Sequence, residues 1–600
     1  MTRSGHVHFR TQRFILALRA LVLVILAALI VGIALTYGRR DRPQTKITMS
    51  GSSTALARED GAVLDQSDRF EINGTRGGRP AFTLNAGTVT GFADERKLLE
   101  QVEMAIYEES GGSIQLLGRE GQFDPTARQA QLTGDVDIAT PDGLSLQTGT
   151  LFYDSDRDMI FTGDAIRFSL GWMTGTGRGL NYLVGERQIK IPDQVELHMR
   201  GEDDIPITVT SGDLMASMDD NTAVFTDDVR LERGGDVLIG NYLHLRFDEE
   251  RRHVTGIEAF GDVRAELAPG PDGRSNALQA DSLVVSLLTP SEAIDRAEAS
   301  GNCRFTSGPY STQSRTALFL RQDDRLELRG NPVLLTDRDR IAAQEIDLRP
   351  GRQTLEARGD VRTVSLPAPE EGAETPGFGK GAVSFQANEM RADQVAMRAV
   401  YIGSARAWQG GNSLQAAEII VDHAARQVRA EGKVISRWAT LSSGADETAL
   451  RPTVTMITSR SMVLDERGGT GRYDGEVRMT RPDATLSADL LDTFMRSVGS
   501  QRDVERIEAS GSVQVQWGGS TATAQTAQLL NDESILILRD DDGLAQVVDD
   551  ATGRSLRGRT LTYDLAGDRI LTESERGGRT WITLDPESKD APSVEPKTRH

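Results

Sequence analysis

Ile507-Glu-Ala-Ser-Gly-Ser-Val-Gln-Val-Gln-Trp517 alternates apolar or small residues with polar ones along its whole length. A period of two is the mark of a β-strand with one wet face and one apolar face. Leu355-Glu-Ala-Arg-Gly-Asp-Val-Arg362 and Val428-Arg-Ala-Glu-Gly-Lys-Val434 read the same way, and each carries a central glycine followed by a polar residue and then Val. The phrase recurs at Gly134-Asp135-Val136, Gly261-Asp262-Val263, Gly301-Asn302-Cys303 and Gly359-Asp360-Val361. Looser copies stand at Gly163, Gly330, Gly403, Gly475 and Gly511, and Asp227-Asp228-Val229 reads as a copy that has lost its glycine. The intervals 134 to 163, 301 to 330, 330 to 359 and 403 to 432 are each 29 residues. A fixed period of this size signals a repeat architecture.

Between the glycine phrases lies a second recurring strand, as in Leu146-Gln-Thr-Gly-Thr-Leu151-Phe-Tyr-Asp154, Leu278-Gln-Ala-Asp-Ser-Leu283 and Leu414-Gln-Ala-Ala-Glu-Ile419. Polar turns such as Asp154-Ser-Asp-Arg-Asp158 follow it, so each repeat is two strands and two turns. Alternation puts the glycine on the apolar face of its strand. A glycine there marks a bend that curves the sheet over on itself, or alternatively room for a ligand. The fold class that follows is all-β, an elongated antiparallel structure of stacked two-strand units. In Gly261-Asp-Val-Arg-Ala-Glu-Leu267, period two sets Val263, Ala265 and Leu267 on one face and Arg264 and Glu266 on the other. The same alternation turns Leu146, Tyr153, Phe168, Leu231, Leu243, Leu245 and Phe247 inward. Aromatic residues are only 5% of the chain. A trough lined by Leu, Val, Ile and Ala resembles a hydrocarbon solvent more than a sugar-binding cleft.

The chain has 600 residues, with 68 Lys+Arg against 89 Asp+Glu and a net charge of −21. That balance argues against nucleic acid, whose phosphates need clustered Lys and Arg. A single cysteine, Cys303, excludes an intramolecular disulfide and a Cys-rich metal module. One segment departs from the polar average: Phe14 to Tyr37, FILALRALVLVILAALIVGIALTY, with Arg19 its only charge. As a helix it would span about 36 Å, enough for a ~30 Å hydrocarbon core. A cleaved signal peptide is the rival reading, with Gly32-Ile33-Ala34 a poor cleavage site and an apolar run longer than a signal h-region. Basic residues flank both ends, so charge barely decides orientation. The bulk of the chain follows the anchor, and its β-rich character suits a bacterial periplasm.

The expected organisation is a tail at 1–13, a transmembrane anchor at 14–37, and β blocks at 38–200, 201–366 and 383–584. A Pro/Gly/Glu-rich linker at 367–382 and a polar tail at 585–600 complete it. No catalytic constellation emerges. Gly175-Thr-Gly177-Arg-Gly179 is followed by no helix pattern and reads as a strand turn rather than a phosphate loop. Gly377-Phe-Gly379-Lys380-Gly381 lacks the Ser or Thr of a P-loop. Neither G-x-S-x-G nor H-E-x-x-H occurs. Asp422-His423 reads as a solvated turn, and Cys303, standing where sister repeats have Val, as a small buried hydrophobe. No metal or cofactor is called for.

The stretch Gly134-Asp-Val-Asp-Ile138, Leu146 to Asp154 and Gly177-Arg-Gly-Leu-Asn-Tyr182 resembles LptC, the inner-membrane-anchored periplasmic component of lipopolysaccharide export. Later copies, such as Gly261-Asp-Val263, Leu278-Gln-Ala280 and Leu414-Gln-Ala416, resemble LptA/OstA-type repeats. The resemblance implies a β-jellyroll open along one side, whose apolar interior carries acyl chains of lipopolysaccharide or a related glycolipid. It also implies an inner-membrane ABC transporter as partner and end-to-end docking of a periplasmic bridge protein, or another copy, through edge strands near Leu556 to Ile570. A usual LptC-like protein has one block where this chain has about three. Two other readings stay open: an anchored envelope scaffold with tightly packed faces, and a β-helix enzyme acting on envelope polysaccharide.

Overall fold

The computed structural model describes residues 63–583, apart from 77, 94, 110, 201–204, 270–275, 292, 308–309, 367–377, 379–380, 443–450, 499–500, 532, 566–568 and 572–580. The expected tail 1–13, the anchor 14–37, the tail 585–600 and most of the linker 367–382 lie outside the described residues. Among the described residues no helix is long and apolar enough to cross a membrane. Apart from the 3-10 turn Pro350–Arg352, the regular structure described is β-strand, and the pairings are antiparallel. The chain divides into two compact units, one ending at Arg329 and the other beginning at Gly330.

The first unit is a meander from Val63–Arg76 to Arg325–Arg329, its strands pairing with their neighbours in sequence except between 188 and 217. Two of its rungs are broken. Gln188–Ile191 and Asp193–Arg200 both pair with Met173–Leu183 and are separated by Pro192, which has no N–H to donate. Pro206–Ser211 and Asp213–Ser217 both pair with Thr222–Arg233, with Gly212 between them.

The glycine phrase is a β-bulge. Between the strands Asp236–Phe247 and Val254–Leu267, Ile239 faces Arg264 and Tyr242 faces Phe260, so the second strand holds one extra residue. Gly261 and Asp262 have φ of 79° and 50°, two left-handed residues in succession. Such a pair bends the strand and sharpens its twist. Alternation had put this glycine on the apolar face. The left-handed pair instead turns it toward the outer surface, where a Cβ would lie 2.8 Å from Nδ2 of exposed Asn241 on the preceding strand. The loss of strict alternation within the bulge is the reason. Asp227 and Asp228, the copy without glycine, adopt the same pair of conformations at φ of 65° and 53°.

A meander sets alternate turns on alternate edges of its sheet. Gly78 and the turns 108–112, 140–143 and 171–172 lie on one edge, and 125–128, 155–158, 184–187, 218–221 and 248–253 on the other. The bends bring these edges together. Arg76 pairs with Asp158 at 2.7 Å and donates to the Ser155 carbonyl at 2.9 Å. Tyr182 Oη lies 3.4 Å from Glu108 Oε1, and Arg187 pairs with Asp142 at 2.9 Å. The side expected to be open is thus bridged by polar contacts at these turns.

The second unit repeats the device from Val333–Leu335 to Trp581–Thr583, with left-handed pairs at Gly359-Asp360, Gly403-Ser404, Gly432-Lys433, Gly475-Glu476 and Gly511-Ser512. The Arg481 guanidinium donates to Asn531 Oδ1 on the opposite edge. Its interior is filled by large side chains. Trp438 and Tyr473 are 1% and 0% exposed, and Tyr473 Oη receives the Trp438 indole N–H at 2.8 Å and the Ser436 hydroxyl at 3.0 Å.

Candidate functional site

In the first unit the inward faces leave an apolar cleft of about 680 Å³, counting the open space at its mouth. Leu144 and Leu146 come from the strand Leu144–Asp154, Phe168 and Leu170 from Met159–Leu170, and Met173 from the next strand. The far wall is Ile189, Ile191, Leu197 and Leu214 on the two broken rungs, closed by Met218, Ala223 and Phe247. Ser217, Asn221, Thr222 and Arg251 supply the polar atoms.

The glycines 175, 177 and 179 shape this cleft. They lie inside the strand Met173–Leu183, all on its buried face, and not in the turn expected from sequence. A Cβ on Gly175 would run into the Phe168 ring, and one on Gly177 would sit 2.5 Å from Ile191 Cγ2. Missing side chains here give Phe168 and Ile191 the space they occupy, which is why a row of glycines survives in a strand.

The rim is ionic. Asp142 is shared by Arg187 at 2.9 Å and Arg251 at 3.6 Å, and Arg187 also reaches Asp219 at 3.0 Å. Burial opposes ionisation of Asp142, but the Thr140 and Arg187 hydrogen bonds and the Arg251 charge outweigh it and hold the carboxyl below its usual range. Arg251 Nε donates to Asn221 Oδ1 at 2.8 Å, and its own carbonyl accepts the Trp172 indole N–H at 2.6 Å.

Of the residues read from alternation, Leu146, Phe168 and Phe247 line the cleft. Leu243, Leu245, Val263 and Ala265 are all within 2% of full burial and pack elsewhere in the wall, while Leu231 and Leu267 are half-buried. Arg264 and Glu266 are exposed. Tyr153 is buried, but its hydroxyl belongs to the Arg76–Asp158 contact, at 3.5 Å from Arg76 and 3.4 Å from Asp158. The remaining cleft residues were not singled out by the sequence. Ile189, Ile191, Leu197 and Leu214 lie in short, interrupted strands, where alternation has too few positions to stand out, although Pro192 and the glycine row are a visible signal. Cys303 is buried and its thiol is pushed up to about 12 by burial, as an inert core residue would be. Among the described residues no cluster of His, Cys, Asp and Glu has the make-up of a metal site.

Residues 24–200 match the family described as lipopolysaccharide-assembly, LptC-related, and residues 208–354 and 456–569 match the LptA/(LptD N-terminal domain) LPS transport protein family. The segment 24–200 belongs to the LptC family, and LptA-type repeats follow it. Both are transport families rather than enzyme families, and membership implicates this LptC-type chain in lipopolysaccharide transport. Among solved structures it is similar to LptH, the LptA-homologous periplasmic component of the lipopolysaccharide transport device of Pseudomonas aeruginosa. The identity is 18% over 25% of this chain and 93% of that one, with a TM-score of 0.18. No curated protein matches the chain.

Proposed function

We propose that this protein is a membrane-anchored periplasmic component of lipopolysaccharide export, one that shields acyl chains in an apolar β-trough. In this role it takes glycolipid from an inner-membrane ABC transporter and passes it toward the outer membrane. The apolar cleft is the observation that carries the reading, because its lining runs from the LptC-matched segment into the first LptA-type match. Charge is consistent with it. A chain of net charge −21 does not attract an anionic headgroup over distance, so affinity must come from burying hydrocarbon at ~25 cal/mol per Å². The segment Phe14 to Tyr37 serves as the anchor, and the blocks 38–200, 201–366 and 383–584 as the periplasmic part.

The test is photo-crosslinking in cells. A crosslinker at Phe168, which lines the cleft, should capture glycolipid, and one at exposed Arg167 on the opposite strand face should capture little. Equal capture at both positions, or none at either in a folded protein, would overturn the reading. A second reading, a scaffold with a closed core, draws its support from the second unit, where Trp438 and Tyr473 fill the interior. Lipid captured at Phe168 but at no site in residues 330–571 would assign carriage to the first unit and a scaffolding role to the other.

A further inference from the structure

The cleft meets the seam of the first unit, where the two lips are joined through side chains rather than by a backbone ladder. Leu144 and Met173 lead into the cleft from the lip that carries Asp142 and Trp172, and Asn221 and Arg251 from the lip that carries Arg187. The contacts described across the seam at this point are Asp142 to Arg187 and Arg251, and the Trp172 indole to the Arg251 carbonyl. Elsewhere the wall is backbone ladder, interrupted only briefly at Pro192 and Gly212. Leu144–Asp154, for instance, is in register with its neighbour from Gln129–Asp154 to Ala139–Ser145. Parting a ladder breaks a whole row of backbone hydrogen bonds, whereas parting this seam breaks side-chain contacts, these and the adjoining Tyr182 to Glu108, that water can replace.

One alternative route, along the interior from the N-terminal side, is obstructed. Phe82, Phe123 and Tyr153 pack ring against ring, with centroids 6.0 and 5.9 Å apart, and all three are buried. A hydrocarbon chain threading past them would have to displace three interlocked aromatic side chains.

We infer that the seam at Asp142, Arg187, Arg251 and Trp172 is a lateral portal, through which the hydrocarbon chain of an amphiphile enters the cleft sideways while its polar head stays outside. The inference rests on the reading that the cleft receives hydrocarbon. Asp142 is its pivot, because one carboxylate holds two arginines of the opposite lip. When the lips part, Arg187 keeps Asp219 and Arg251 keeps Asn221, both on their own lip, so neither guanidinium is left bare. The latch therefore opens with both guanidiniums still paired, while Asp142 keeps the Thr140 hydroxyl of its own lip, and it recloses when the chain has passed.

The experiment follows exchange of a pyrene-labelled C16 fatty acid into and out of the full-length protein by fluorescence. Asp142→Ala should speed entry and exit together by roughly three- to tenfold, the factor expected for losing two partly buried ion pairs, with the equilibrium affinity little changed. A residue that merely binds the head would change affinity, and a merely structural one would lower thermal stability without this matched change in both rates. The second variant works in the opposite direction. With Asp142→Cys and Arg187→Cys bridged by a short bis-maleimide, exchange should slow by at least about tenfold relative to the same variant unbridged. Cys303 does not interfere, because it is buried. Exchange at an unchanged rate in the bridged protein would overturn the portal and leave the lipid reading standing. A wild-type protein that takes up no probe would overturn the lipid reading and the portal with it.

Discussion

At the scale of single residues, the glycine of each repeat is explained by two coincident demands. At Gly301 the backbone is left-handed, with φ of 73°, and a Cβ would collide with the Asp281 carboxylate of the preceding strand. That carboxylate is otherwise engaged by Asn302 Nδ2 at 3.1 Å, so bulge and neighbour fit as a pair. Gly301→Ala should destabilise the protein by about 1–2 kcal/mol, the cost of a side chain in this conformation. Asp227→Gly, at the copy that lacks glycine, should be neutral or stabilising by less than about 1 kcal/mol, since glycine also gains freedom in the unfolded chain. Denaturant unfolding reads both, and a Gly301→Ala protein as stable as its parent would mean that the bulge tolerates a side chain. The phrase itself was legible in the sequence. Its facing residue was not, because Asn241, Asp281, Ala417 and Arg460 differ in chemistry and share only their position opposite a glycine.

At the scale of the strand, alternation predicts orientation well and occupancy not at all. Val263 is 0% exposed, and its neighbour Arg264 is on the outside. Val263→Asp should therefore cost several kcal/mol, as an unpaired charge in an apolar interior does, while Arg264→Asp should stay within about 0.5 kcal/mol. Similar losses from the two would mean that the one-residue step does not separate inside from outside. Whether an inward residue meets a neighbour or empty space depends on strands far away in sequence, so the cleft was not readable from any one strand. The same holds for the aromatic packing of the second unit. Tyr473→Phe would leave the Trp438 N–H without its acceptor and should cost about 1–3 kcal/mol. Burial pushes the phenols of Tyr473 and Tyr153 up to about 12. Below pH ~10, the unfolded value, both states keep these protons, and above it the unfolded chain releases them first. Stability should therefore be level up to about pH 10 and fall between about pH 10 and 12. Tyr473→Phe should flatten that fall in a pH series of thermal melts, and an unaltered slope would remove Tyr473 from the account.

At the scale of the molecule, the seam is what the sequence could not show. Its contacts join residues 45 positions apart or more, the widest of them Asp142 with Arg251, a spread set by the twist of the wrapped sheet and by the broken rungs, and no fixed period announces it. The ends of the ladder were more legible, because a meander must begin and finish on an unpaired strand. Among the described residues Val63–Arg76 pairs only with Arg79–Phe92, and it carries Asp65, Asp68, Arg69 and Glu71 along its length. Charges of this density discourage unspecific edge pairing. The other end is different in form: Arg569–Leu571 lies on Thr560–Asp564, and Trp581–Thr583 on Ser555–Gly558, each covering three residues. A last rung this short is an edge to which an extended partner can add a strand. If a bridge protein or another copy of this chain docks there, deleting residues 566–600 should abolish its cross-linking. The unit itself should stay folded, since Leu561 and Tyr563 keep their pairing with Leu538 and Leu536, and Tyr563 keeps its ring contact with Trp517 at 4.9 Å. Cross-linking yield and the unfolding midpoint of the truncated protein are the two measurements. Undiminished cross-linking with an unchanged midpoint would move the docking surface away from this edge, and Val63–Arg76 would then be the strand to probe.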